Sequence, residues 1–301
     1  MQAQSRLITL QAITFLHPGT GQTTGVVDLP VQREVHTGYP MYASSGLKGS
    51  LRDKAEQLCR KKDAEILFDS KDVEVLFGSS VNDEDKSSAG AFSITDARIL
   101  AFPVRSLQQV FVWVTCPMVI QRLLRDTRLI NLSLPISDFN GKIDEETAWV
   151  TDDSPLKDQL ILEDVNFAVS ANTQLKALLE LFNRLIDPQA GFDGKRLAVI
   201  PDQDFKHLVR YATQVSARIQ LNDRKTTDGG GGNLWYEETL PPETLMYALA
   251  LCHKPRKKET DETAQDVADK LQKLLADKFL QIGGNETVGQ GWCCVKITGG
   301  Q

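Results

Sequence analysis

A single carboxylate, Asp28, closes the run "GQTTGVVD" just before Leu29 and Pro30, and Arg33, Glu34 and His36 follow within a few residues. A plain strand-to-turn junction needs none of these groups, and the residues alone leave the purpose of Asp28 open. Two glycine-rich stretches lie elsewhere. "HPGTGQTTG", with Gly19, Gly21 and Gly25, follows a strand pattern but opens no helix and has no Lys-Ser/Thr ending, so the nucleotide-binding fingerprints fail. "GGNETVGQG", with Gly283, Gly284, Gly289 and Gly291, reads either as a helix-to-strand connection needing positive φ or as a nest of N–H groups approaching a phosphate. "YASSGLKGSLR" places Ser44 and Ser45 at a helix N-terminus, with Lys48 and Arg52 four residues apart on one helical face. Two such cations suit a phosphate chain; the plainer reading is ordinary capping with solvated charges.

Regular elements must hold these groups. "RLITLQAITFLH" alternates as a half-buried strand, and "SSGLKGSLRDKAEQLCRKK" predicts a helix with Ser45 as N-cap and Leu47, Leu51, Ala55 and Leu58 on one stripe. "SKDVEVLFG" reads as a short helix ending at Gly78, and "SSVNDEDKSSAG" as a surface loop. Two strands, "AFSITDARILAF" and "QQVFVWVTC", joined by "PVRSL", lead into a helix opened by Pro117. Residues 130–160 are polar and read as an irregular insertion. "DQLILEDVNFAVS" and "NTQLKALLELFNRLI" are strand and helix, and "KRLAVIPDQDFKHLVRYAT" repeats that pattern on a smaller scale. "VSARIQLNDRKTTDGGGGNLWYEETLP" is two alternating strands around a long tip with four consecutive glycines, a projecting hairpin over about 214–240. Strand "TLMYALALC", helix "ETAQDVADKLQKLLADKF" and strand "WCCVKIT" close the chain. The order implies one α+β domain over 1–301, with a ferredoxin-like (RRM-like) core and large insertions, a sheet type that often carries RNA.

Composition narrows the functional classes. The 301 residues are 41% apolar and 25% charged, which is globular, and 34 Lys+Arg against 40 Asp+Glu give a net charge of -6. Such a chain has no whole-molecule attraction for polyanions, so a nucleic-acid site must be a local patch. Candidates are Lys48/Arg52/Arg60/Lys61/Lys62, Arg122/Arg125/Arg128 and Lys254/Arg256/Lys257/Lys258, each of which also reads as a solvated face. The five cysteines form no CxxC pair and sit mostly in apolar runs, as reduced core thiols do. The four histidines are far apart, without zinc spacing, and His36, His207 and His253 read as structural or solvated. "MQAQSRLITLQAITF" does not read as a leader and no run suits a membrane span, so a cytoplasmic protein that contacts no membrane is expected.

"HPGTGQTTGVVDLPVQREVHTGYP", "SSGLKGSLRD", "SITDARILAFPVRS", "GGNLWYEETLPPETL" and "LQIGGNETVGQGW", in this order over nearly the whole chain, resemble the RAMP-superfamily backbone subunits of type III-B CRISPR effector (Cmr) complexes, specifically the subunit-four family. The resemblance implies a right-hand shape: an RRM-like palm, a finger-like helical insertion and loop over 50–90, and a β-hairpin thumb at 214–240. It implies partners too: CRISPR guide RNA, target RNA, further copies in a head-to-tail filament, and the other subunits of the complex. The implied activity is divalent-metal-dependent endoribonuclease cleavage of the paired target, with Mg²⁺ or Mn²⁺.

The family's essential carboxylate falls on Asp28, as metal ligand or proton acceptor. His17 aligns with a histidine associated with cleavage, and Glu237 is the thumb carboxylate, with Glu238 a close second. Lys48, Arg52 and Arg33, with Ser44 and Ser45, become guide-RNA contacts, Gly283, Gly284 and Gly289 backbone contacts to phosphate, and Trp235 a packing or stacking group. The family often carries an aromatic two positions after the thumb glutamate, where this chain has Thr239. A non-cleaving guide-RNA scaffold is the alternative reading.

Overall fold

The computed structural model describes residues 4–299 apart from 23, 61–67, 80–87, 137, 140, 228–233 and 257–259. The four-glycine tip, most of the loop 79–90, and Lys61, Lys62, Lys257 and Lys258 lie outside the described residues.

The chain begins in β1 (Gln4–Ala12), whose residues after the first are all buried, so both faces of the sheet are covered here. After the 13–40 segment come β2 (Met41–Tyr42), α1 (Ser44–Arg60) and α2 (Ser70–Phe77). Helix α1 buries Leu47, Leu51 and Ala55 as its periodicity requires. Its first turn is not capped by Ser45. Instead the Ser44 N–H donates to Asp96 Oδ1 at 2.8 Å, a carboxylate just before Ala97, the partner of Tyr42 on the neighbouring strand.

The expected single strand over 91–102 is two, β3 (Phe92–Ile94) and β4 (Ala97–Arg105), broken at Thr95 and Asp96, the residue that caps α1. β4 runs on through Pro103, opposite Trp113 of β5 (Phe111–Thr115), because a proline costs a strand only its donor. α3 (Pro117–Leu129) follows. The stretch 130–160 departs from its reading as irregular. It carries β6 (Thr147–Val150), parallel to β8 (Val165–Ala171) and antiparallel to β9 (Leu197–Val199), a strand too short to show a period in sequence. β7 (Gln159–Leu162), α4 (Gln174–Leu185) and α5 (Asp202–Tyr211) complete the middle of the chain.

β10 (Gln214–Ile219) and β11 (Leu234–Thr239) form the expected hairpin as a separate two-stranded sheet. β12 (Leu245–Cys252), α6 (Ala264–Leu274), β13 (Phe279–Gln281) and β14 (Trp292–Gly299) close the fold. The large mixed sheet runs β13-β14-β1-β12-β4-β5-β9-β6-β8-β7. From β13 to β5 it is antiparallel throughout. The α+β expectation is met.

Part-buried ion pairs hold the segment after Asp28. Arg122 Nη1 reaches Glu34 Oε1 at 2.7 Å, and Arg98 Nη1 reaches Asp126 Oδ2 at 2.6 Å, where the Tyr247 hydroxyl also donates. Arg122 is therefore no part of a solvated basic patch, and Arg125 pairs with Asp126. No described helix is long and apolar enough to cross a membrane.

Candidate active site

Three segments meet at the base of the hairpin: the 15–31 loop, strand β11, and the 283–291 loop. Leu16 and Leu240 exchange backbone hydrogen bonds at 3.0 and 2.8 Å, which fixes one end of the first loop. Its other end returns at Val31, where Gln32 N–H donates to Pro18 O at 2.7 Å and Gln32 Nε2 to Gly19 O at 2.8 Å. The loop is thus closed on itself, with its outer arc, including Val26, exposed.

Asp28 sits where this arc rejoins β11. Its Oδ2 accepts the Tyr236 N–H at 2.7 Å, and the next residue, Leu29, donates to Tyr236 O and accepts from Glu238 N–H, both at 3.0 Å. The Asp28 carboxylate is half-buried and no hydrogen bond to Oδ1 is made by a described residue. One oxygen is anchored by a backbone donor, and the other has no hydrogen-bond partner among the described residues.

His17 is buried, at 8% exposure, and its Nδ1 lies 2.8 Å from Glu238 O. A carbonyl only accepts, so Nδ1 carries a proton, and Nε2 is the ring nitrogen left outside that bond. Gly19 lies against Nε2, where an added Cβ would come within 2.7 Å of that nitrogen.

The glycine loop is not an open nest. Gly283 N–H donates to the Tyr42 hydroxyl at 3.0 Å, Gly284 N–H to His17 O at 3.1 Å, and Gly289 N–H to Glu286 O at 2.9 Å. These donors are spent inside the protein, which corrects their reading as phosphate ligands. The loop instead buttresses His17.

Glu237 and Glu238 are both buried, at 3% and 6% exposure. Glu237 Oε1 accepts from Asn285 Nδ2 at 2.5 Å and from Arg218 at 3.5 Å, so within this chain it closes on the 283–291 loop and is not offered to Asp28. Sequence reasoning missed Asn285; its only signal was an Asn after two glycines, at a position that here takes positive φ. Arg33, read as an RNA contact, is part-buried and engaged within the chain: it donates to Glu238 Oε1 at 2.5 Å, to Val209 O at 2.9 Å and to Gly38 O at 3.1 Å. Trp235 shares its hairpin face with Arg218 and Glu237, whereas Tyr236 lies on the opposite, exposed face.

Ser44, Ser45 and Lys48 do converge. They line an open pocket of about 450 Å³ with His253, Lys254 and Arg256. Lys48 Nζ donates to Phe92 O at 2.9 Å and stands 4.8 Å from the Phe92 ring centroid, and burial pulls its pKa down. Arg52 is outside this pocket and pairs with Glu56 at 2.9 Å. The basic character of this pocket comes from Lys48 at one end of the chain and Lys254 and Arg256 near the other.

Among the described residues no group of three His, Cys, Asp or Glu is placed to hold a metal ion. The Asp28 Oδ1, without a partner among the described residues, nevertheless fits the way Mg²⁺ is commonly held, by one or two carboxylates with substrate phosphates and water supplying the rest.

The RAMP superfamily profile matches residues 9–294. The CRISPR system Cmr endoribonuclease Cmr4 of Pyrococcus furiosus is 38% identical over 299 residues, covering 97% of this chain and 94% of that protein. The crystal structure of oligomeric Cmr4 from Pyrococcus furiosus superposes with a TM-score of 0.70 at 29% identity, over 99% of both chains. A chain of the type III-B Cmr-beta complex bound to cognate target RNA, seen by cryo-EM, shares the fold, with a TM-score of 0.72 at 21% identity over 99% of this chain and 97% of that one.

Proposed function

This chain belongs to the RAMP superfamily, within the family of the Pyrococcus furiosus Cmr4 endoribonuclease, and from that premise we propose that it is a backbone subunit of an RNA-guided type III-B effector that cuts its bound target RNA. Its partners are guide RNA, target RNA, further copies of itself stacked head to tail, and the other subunits of the complex. The order β14-β1-β12-β4, with α1 following β1 and α6 preceding β14, is read as the RRM-like palm, and β10–β11 as the thumb.

The observation that carries the reading is the half-exposed Asp28 carboxylate, anchored through Oδ2 at the root of the hairpin, with Oδ1 unbonded among the described residues. Attack of a ribose 2′-oxygen on the adjacent phosphorus forms one P–O bond and breaks the bond to the 5′-oxygen, which must gain a proton. Asp28 Oδ1 is placed to take the 2′-proton or to hold a divalent cation. Such a cation, Mg²⁺ or Mn²⁺, would neutralise charge developing on the phosphate. The rigid return of residues 28–31 along β11 holds the carboxylate still, and that fixed geometry is this chain's contribution to in-line attack. His17 orients the loop that carries Asp28. Lys48, Ser44 and Ser45 hold guide backbone in their pocket.

One observation favours a second reading, a non-cleaving scaffold: the His17 and Glu237 side chains already have protein partners, which engages two of the three candidate catalytic side chains within the chain itself. A single experiment separates the two. Target RNA is incubated with the guide-loaded complex in Mg²⁺, containing either the native chain or Asp28→Ala. Regularly spaced products that fall by about a thousandfold in the variant, with target binding intact, establish the nuclease. Equal cleavage by both, or none by either despite tight binding, establishes the scaffold.

A further inference from the structure

Glu238 is tied into the site by more groups than any role as a spare thumb carboxylate needs. Its Oε2 accepts the Val31 N–H at 3.0 Å, and its Oε1 accepts from Arg33 Nη2 at 2.5 Å and from Thr213 Oγ1 at 2.8 Å. Its N–H donates to Leu29 O at 3.0 Å and its carbonyl accepts from His17 Nδ1 at 2.8 Å. The segment holding Asp28 is therefore gripped on both sides: Tyr236 takes Asp28 itself, and Glu238 takes Leu29 and Val31. Arg33 extends the grip to the end of α5 and to the 34–39 turn through Val209 O and Gly38 O. The Arg33 and Glu238 side chains are only 11% and 8% exposed, and each is paired with the other within the chain.

We propose that the part-buried Arg33–Glu238 pair is a positioning clasp for target cleavage, setting both the Asp28 carboxylate and the His17 ring against the hairpin root. The proposal rests on the reading of Asp28 given above. Three donors converge on one carboxylate, so a glutamine of the same shape must turn its amide NH₂ toward at least one of them. The loop then shifts by a fraction of an ångström, which is enough to spoil in-line geometry without unmaking the fold.

Three guide-loaded complexes are compared with the native one: Glu238→Gln, Arg33→Lys and Asp28→Ala. Single-turnover cleavage at saturating target is read beside target Kd and thermal midpoint. The clasp predicts that Glu238→Gln and Arg33→Lys each slow cleavage by about ten- to a hundredfold while target Kd stays within about twofold and the complex assembles normally. A merely structural pair would move assembly, Kd and midpoint together with the rate. If Glu238→Gln fails to assemble, Arg33→Lys decides: slow cleavage with intact binding supports the clasp. Native cleavage by either assembled variant overturns it, as does failure of both to assemble. Full activity in Asp28→Ala, or none in the native complex, overturns the parent reading and this one with it, whereas a dead Asp28→Ala beside a fully active Glu238→Gln sinks the clasp alone.

Discussion

Lys48 shows how burial shapes a cation in the pocket proposed to hold guide RNA. Its stem crosses the Phe92 ring, its ammonium rests on a backbone carbonyl, and desolvation lowers its pKa. Lys48→Ala is expected to weaken guide-RNA binding across all sequences and to reduce the salt slope of log Kd by about one, measured by filter binding at several ionic strengths. Arg52→Ala, which removes a group already paired with Glu56, is expected to change that slope by less. The pH dependence has a definite sign. Between its lowered folded value and its ordinary one Lys48 binds more protons unfolded than folded, so its contribution to stability of the free chain increases as pH rises through that window. Its grip on RNA moves the other way and weakens at lower alkaline pH than in Lys48→Arg, which titration of guide affinity between neutral and alkaline pH would detect.

At the scale of elements, the 283–291 loop is an instrument for holding His17. Gly283 has φ +79°, and an added Cβ would lie 2.7 Å from His17 O; Gly289 has φ +80° but faces open space. Gly289→Ala is expected to cost about 1 kcal/mol, the left-handed penalty alone, and Gly283→Ala visibly more because the His17 backbone must also shift. Denaturant midpoints of the two variants check the order. The sequence announced this loop through its glycines but not its purpose, because a nest open to phosphate and a loop spent on internal acceptors have the same composition. Helices α1, α3 and α6 and the hairpin strands were legible from period and punctuation. β6 was not, being four residues long and paired with strands remote in the chain. In the site, Asp28 was reachable through the resemblance. The burial of Arg33 and the hub at Glu238 depend on which face of β11 meets the 15–31 loop, which no local pattern encodes.

For the whole molecule, the continuous sheet joins a largely antiparallel half to the mixed half beyond β5. Trp113 stands at that seam, fully buried, with Nε1 donating to Glu243 O at 2.9 Å. Unfolding in urea is therefore expected to give one transition, with tryptophan fluorescence and far-UV circular dichroism coinciding. Two separated transitions would mean that the halves melt independently.

The hairpin has a consequence outside chemistry. Val215, Ala217 and Ile219 on β10 share one face with Leu234 and Tyr236 on β11, and all five are exposed. A bare apolar ribbon of this kind invites clumping in a crowded cell. Supply of this chain relative to whatever covers that ribbon thereby becomes a trait under selection, since every surplus copy is work for chaperones and proteases.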